Sequence, residues 1–131
     1  PTILPINKKD NPRYTSGFGI RKDPINGKMI AHTGIDITTD YAAFIYASAA
    51  GTVIFASRRG GYGKAVIIEH KYGFKTLYGH MSEYNCVKGQ VVRKGQIIGF
   101  LGNTGRSTGK HIHFEIIKNN EKINPIKFVR P

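Results

Sequence analysis

The stretch Lys110-His111-Ile112-His113-Phe114-Glu115-Ile116-Ile117 changes character at every step. His111, His113 and Glu115 interleave with Ile112, Phe114 and Ile116, the period-two pattern of a strand with two unlike faces. Side chains at i and i+2 on a strand point the same way, about 6.5–7 Å apart. The pattern predicts two imidazoles and a carboxylate on one face, with the apolar trio entering the core. A histidine pair on a solvated face is the plainer alternative. Neutral imidazole is the commonest transition-metal ligand and titrates near neutrality, so the pair is also a candidate for metal or acid–base chemistry.

Outward from this strand, the chain is a series of short apolar runs broken by Gly, Asn and Asp turns. These include "GIDI", "GTVIFAS", "AVIIEHKYG", "FKTLYGHMS" and "GQVVRKGQIIGFLG", and "NNEK" reads as a hairpin turn returning through "INPIKFV". Many short strands separated by glycine turns predict an all-β sandwich or barrel with little helix. "VKGQVV" and "RKGQII" echo each other as two successive strand turns, each carrying a glycine.

With 131 residues, 40% of them apolar, the chain is long enough for one domain with a real core. Residues 1–12 read as a lead-in and 13–131 as the domain. The opening "PTILPINKKD" reads as a processed end, without an export signal. No run of 18 apolar residues is present, so no transmembrane helix is expected. The one cysteine, Cys86, cannot form an intrachain disulfide and is expected to be a buried thiol. A formal charge of +12, from 20 basic and 8 acidic residues, points to an anionic partner such as nucleic acid, lipid headgroups or an acidic wall polymer. The basic residues are scattered and no nucleic-acid-reading motif accompanies them, so no nucleic-acid partner is expected.

His32 and Asp36, in "AHTGIDI", have an i, i+4 spacing, but Thr33, Gly34 and Ile35 disfavour a helix. Extended, the two side chains would lie about 13 Å apart. Gly34, able to take positive φ, is expected to supply the bend that brings them together. His32, Asp36 and one histidine of "HIH" then make a set that binds Zn²⁺ with one position open, as catalytic sites do. The other "HIH" histidine and His80, in "LYGHMS", remain as acid, base or transition-state donor. His70, at a strand end before a turn, reads as structural.

The segments "SGFGIRKDPINGKMIAHTGIDI", "YASAAGTVIFA", "GGYGKAVIIEH", "TLYGHMS", "VKGQVVRKGQIIGFLGNTGRSTGKHIHFEI" and "INPIKF" occur in this order. In this they resemble the lysostaphin-type (LytM-like) zinc peptidases, which cut peptidoglycan peptides, from about Pro12 to Phe128. The resemblance implies a mostly antiparallel, sandwich-like sheet with a groove over it. It implies one zinc ion held by His32, Asp36 and His113, with His80 and His111 as catalytic histidines, and leaves open which of the two is the base. A bacterial cell-envelope location, periplasmic or extracellular, follows from the substrate, peptidoglycan peptide cross-links alongside anionic wall polymer.

The "F-G-x-R-x-x-P" lead-in resembles the branch that cuts D-alanyl–diaminopimelate bonds. A glycyl-glycine endopeptidase and a non-catalytic wall-binding module are the alternatives. Glu115 is expected to orient an imidazole. "NTGRSTG" is expected to border the groove, and Tyr78 and Arg21 are weaker candidates for substrate contact. A non-haem iron site is disfavoured by the i, i+4 spacing. A biotinyl- or lipoyl-type carrier is disfavoured because Lys64 lacks the neighbours of a modified lysine.

Overall fold

The structure is a computed structural model that describes residues 3–22, 27, 29–39, 42–102 and 111–129. Thirteen strands are described: β1 (Arg13–Ser16), β2 (Gly19–Lys22), β3 (Met29–His32), β4 (Ile35–Thr38), β5 (Ala43–Tyr46), β6 (Gly51–Arg58), β7 (Lys64–Glu69), β8 (Phe74–Met81), β9 (Glu83–Tyr84), β10 (Val91–Val92), β11 (Ile97–Leu101), β12 (His111–Lys118) and β13 (Glu121–Ile123). The helical elements among the described residues are short 3₁₀ turns.

The main sheet runs β1-β4-β12-β8-β7-β6-β10, with β13 paired to β12. A smaller sheet, β5-β11-β9, contributes Ile45, Ile98 and Leu101 to the same buried cluster as Val53, Val66, Tyr78 and Phe114 of the main sheet. This is the all-β, antiparallel, sandwich-like arrangement expected from the turn-punctuated apolar runs. Leu4 and Ile6, ahead of β1, are buried in that cluster too.

β12 lies between β4 and β8. Ile112, Phe114 and Ile116 are fully buried in the core, as the alternation requires. The β12–β13 hairpin turns on Asn119 and Asn120, both at positive φ (49° and 68°). That is the backbone of a two-residue hairpin turn, for which Asn is well suited.

The repeated "KGQ" has a structural cause. In each copy the glycine sits at positive φ, Gly89 at 94° and Gly95 at 81°. In each, the glutamine amide N–H closes the turn, Gln90 onto the Val87 carbonyl at 3.1 Å and Gln96 onto the Arg93 carbonyl at 3.0 Å. Each glutamine side chain then accepts from the N–H at the head of its own turn, Val87 or Arg93.

Candidate metal centre and histidine pair

Cross-strand register assembles the first part of the site. His113 of β12 pairs with Asp36 of β4, which puts their side chains on the same face. His113 Nδ1 lies 2.8 Å from Asp36 Oδ1. His32 closes β3 just before the turn into β4, and its Nε2 lies 3.2 Å from Asp36 Oδ2.

Gly34 makes this turn possible, though not by the expected route. It is absent from the positive-φ residues, so the sign of φ is not the reason for glycine. Instead, a Cβ there would collide with the Phe114 carbonyl oxygen and sit 2.9 Å from Glu115 Cγ. The turn lies directly against β12, and only a residue without a side chain fits.

His80 reaches the site through a break in alternation. Tyr78, two residues earlier on β8, faces the core and is fully buried, so a regular strand would send His80 inward as well. The β7–β8 register slips between Lys64↔Met81 and Val66↔Tyr78, leaving one extra residue on β8. His80 takes a φ of 59°, a strained value for a non-glycine residue. This bulge turns the imidazole onto the site face, where its ring centroid lies 5.1 Å from that of His111 and 6.3 Å from that of His113.

Each nitrogen of the two histidines beside Asp36 has a defined neighbour. His32 Nδ1 donates to the Gly17 carbonyl at 2.6 Å, and its Nε2 faces Asp36 Oδ2. His113 Nε2 donates to Glu115 Oε2 at 2.8 Å, which leaves Nδ1 facing Asp36. His32, Asp36 and His113 each offer one ligand atom, all within 4.8 Å of one another. The set fits zinc in chemistry and count, with two imidazoles, one carboxylate and room for a further ligand. A cleft of about 330 Å³ opens over it, with His80 and Tyr62 in its wall.

Charge in this cluster follows from the pairing. Burial disfavours an imidazolium at His113, but its hydrogen bonds to Asp36 and Glu115 prevail and raise its pKa to about 9. Burial likewise opposes ionisation of Glu115, but hydrogen bonds from His113, Thr33 and Tyr62 hold it at about 2. Asp36 also sits below its ordinary value, because His113 and the neighbouring histidines outweigh its burial. His80 is pushed down by burial and then by His111 and His113, so it stays neutral near pH 7.

Other sequence expectations sort as follows. Glu115 is buried and bonded to the imidazole of His113. Tyr78 is not available to substrate: it is fully buried, its hydroxyl held by the Ser48 N–H at 2.9 Å and Thr76 Oγ1 at 2.7 Å. Its core-facing position on β8 is the reason. His70 lies in that same remote network, between the Ala50 carbonyl and Thr76. Cys86 is buried, its thiol pushed up by that burial. "NTGRSTG" lies outside the described residues, as does the side chain of Arg21. Thr33, Tyr62 and Lys122, which surround Glu115, escape the sequence reading. They come from three distant segments that no spacing rule connects; the cluster of glycines around Tyr62 is the faintest of signals.

The sequence matches peptidase family M23 over residues 30–125. It is 44% identical over 119 residues to the DD-carboxypeptidase/endopeptidase Mpg of Neisseria meningitidis, covering 91% of this chain and 27% of that protein. It is 39% identical over 116 residues to the peptidoglycan DD-endopeptidase ShyB of Vibrio cholerae, covering 88% of this chain and again 27% of the relative. The chain thus spans little more than a quarter of these relatives. Its fold superimposes on a zinc-containing peptidase from Vibrio cholerae with a TM-score of 0.86 at 36% identity, over 99% of this chain and 40% of that one. The strand order, the convergent His-Asp-His set and these matches agree: the chain belongs to peptidase family M23.

Proposed function

We propose that this chain is the catalytic domain, residues 13–131 with 1–12 as a lead-in, of a zinc peptidase that hydrolyses peptidoglycan peptide cross-links in the bacterial cell envelope. The observation that carries the reading is the convergence of His32 Nε2, Asp36 and His113 Nδ1 beneath the His80–His111 pair. His32, Asp36 and His113 hold one zinc ion. Zinc bound there supplies a Lewis acid that polarises a scissile carbonyl and brings a water's acidity near neutrality.

The protein's own groups supply proton transfer. His80, neutral near pH 7 and adjacent to His111, can take a proton at its imidazole and return one to a leaving amine. His111, on the same face of β12 as His113, stands within reach of the same atoms and can share either role or steady developing negative charge. Asp36 and Glu115 bracket His113 from its two nitrogens and fix its ring.

The relatives Mpg and ShyB carry DD-endopeptidase names, and this supports a D,D-endopeptidase acting on D-alanyl–diaminopimelate bonds. The direct cross-link presents carboxylates that a glycine bridge lacks, and a +12 chain attracts them, as it does anionic wall polymer. The chain works in the periplasm or outside the cell, where its substrate lies.

The test offers purified cross-linked muropeptide dimers and pentaglycine side by side, with and without a chelator. Chelator-sensitive release of monomers from the dimers, with pentaglycine intact, is the expected result. Cleavage of pentaglycine with the dimers intact would move the assignment to glycine bridges. Cleavage of neither by zinc-loaded protein would leave a wall-binding module.

A further inference from the structure

Glu115 is a fully buried carboxylate whose two oxygens are treated very differently. Oε2 accepts from His113 Nε2 at 2.8 Å, Thr33 Oγ1 at 2.6 Å and the Tyr62 hydroxyl at 2.7 Å. Oε1 is buried and has no hydrogen-bond partner among the described residues. The nearby ammonium of Lys122 lies 3.5 Å from it and donates to the Tyr62 hydroxyl at 3.0 Å. Lys122 stands opposite Ile117 across the β12–β13 hairpin, two residues beyond Glu115 on the same face.

We propose that Lys122 is a positioning residue for the metal site. Through Glu115 and Tyr62, it holds His113 in the tautomer and orientation that present Nδ1 beside Asp36. The proposal rests on the zinc reading above and goes beyond it, because Lys122 is not itself one of the three ligands and acts through Glu115 and Tyr62.

The physical argument is charge balance in a buried place. A histidine must be neutral to bind a metal. Once it is, Lys122 is, among the described residues, the cation 3.5 Å from the Glu115 carboxylate. An isolated buried carboxylate is strongly disfavoured and finds relief by turning toward water. Such a turn would take the acceptor away from His113 Nε2 and free the ring to rotate. Tyr62 makes the arrangement a closed loop. Its hydroxyl accepts from Lys122 and donates to Glu115, while its ring stacks beside His113 with centroids 5.6 Å apart. One lysine therefore fixes both the hydrogen-bond acceptor and the wall of the imidazole. Its side chain is 39% exposed, so replacing it disturbs little packing.

The test measures zinc affinity by competition with a chromophoric chelator, together with the ring ¹⁵N shifts of His113. The proteins are wild type, Lys122→Met and Lys122→Arg. Loss of a group that orients a ligand typically weakens metal binding by about 10–100-fold, and that is expected for Lys122→Met. Lys122→Arg, which keeps the cation, should restore most of the affinity. In zinc-loaded wild type the His113 proton should sit on Nε2, and in Lys122→Met that resonance should broaden or move.

Wild-type affinity and unchanged shifts in Lys122→Met would overturn the proposal. Equal losses in both variants would do the same, because length and not charge would then matter. A lower melting temperature of the zinc-free Lys122→Met protein, with zinc affinity intact, would reduce Lys122 to a structural role. Wild-type protein that binds no zinc would refute the zinc reading itself, before any variant is compared.

Discussion

His113 and His70 are both imidazoles with both ring nitrogens engaged, and they could hardly differ more in consequence. His70 meets a backbone carbonyl and a threonine hydroxyl, both neutral, and burial lowers its pKa. His113 meets two carboxylates, and despite burial its pKa rises to about 9. Occupancy of the nitrogens therefore does not separate a structural histidine from a functional one. The partners do. Neutral partners satisfy the ring and end the matter. Two anionic partners hold it ready for a cation, whether a proton or a metal ion at Nδ1.

The comparison breaks most severely at the carboxylate side. His113→Ala and Asp36→Ala should each abolish zinc binding and hydrolysis together, measured by metal content after gel filtration and by monomer release from muropeptide dimers. Stoichiometric zinc in purified Asp36→Ala would remove Asp36 from the ligand set. The same pairing predicts a pH signature. Zinc must displace the His113 proton, so zinc affinity should climb as pH rises toward about 9 and then level, as read by chelator competition.

In the zinc-free protein the sign is opposite. The folded pKa of His113 lies above the unfolded value of about 6.5, so its stabilisation is complete below that pH and disappears as pH rises through the folded value. Glu115 has the reverse relation: its contribution is present above about 4.3 and is lost as pH falls toward its folded value. Melting temperatures of zinc-free protein should therefore fall between neutral and alkaline pH, while zinc-loaded protein shows no such fall.

Next in size are His80 and His111, the ring pair beside the metal position. His80→Ala and His111→Ala should retain zinc and lose turnover by roughly 10²–10⁴-fold each, the worth of a general acid or base. If His111→Ala lost zinc while His113→Ala kept it, the roles within the "HIH" pair would be exchanged.

How much of this was legible in the sequence differs by residue, for physical reasons. The faces of β12 could be read from alternation alone, because a strand's side-chain period is fixed at two. Hairpin and turn positions were legible through Asn119, Asn120 and the two "KGQ" glycines, whose backbone angles restrict residue choice. His80 was found as a residue, but its direction was not readable: alternation sends it to the core, and only the bulge and its positive φ return it to the site. Gly34 was recognised as necessary for the wrong reason, since collision with a strand distant in sequence leaves no local mark. The Thr33–Tyr62–Lys122 support of Glu115 stayed invisible for the same cause. Tyr78 was misplaced because an aromatic residue beside a catalytic motif does not reveal which face it takes.

The structural side of the comparison predicts smaller changes. His70→Ala leaves the Ala50 carbonyl without its partner and removes one bond from Thr76, which still has Tyr78. Ala50 is exposed, so water can replace the imidazole at its carbonyl, and the loss at the buried Thr76 is that of one hydrogen bond. The unfolding free energy from denaturant titration should fall by about 0.5–1.5 kcal/mol. Zinc content and turnover should not change. Loss of zinc in a folded His70→Ala protein would show that the two histidine environments are coupled, and the contrast between them would fail.

Cys86→Ser should be milder still. The thiol is buried in the apolar core, and among the described residues its polar contact is a long one, Sγ to the Ile98 carbonyl at 3.7 Å. Burial raises the thiol's pKa, so at neutral pH it is protonated and a poor nucleophile. A serine hydroxyl fits the same space and can donate to the same carbonyl, so its desolvation is partly offset, and a stability change of about 1 kcal/mol is expected. Hydrolysis of muropeptide dimers and zinc content should match wild type. A folded, zinc-loaded Cys86→Ser protein without activity would break the division drawn here, because chemistry would then depend on a neutral, buried group on the far side of the sheet from the metal ligands.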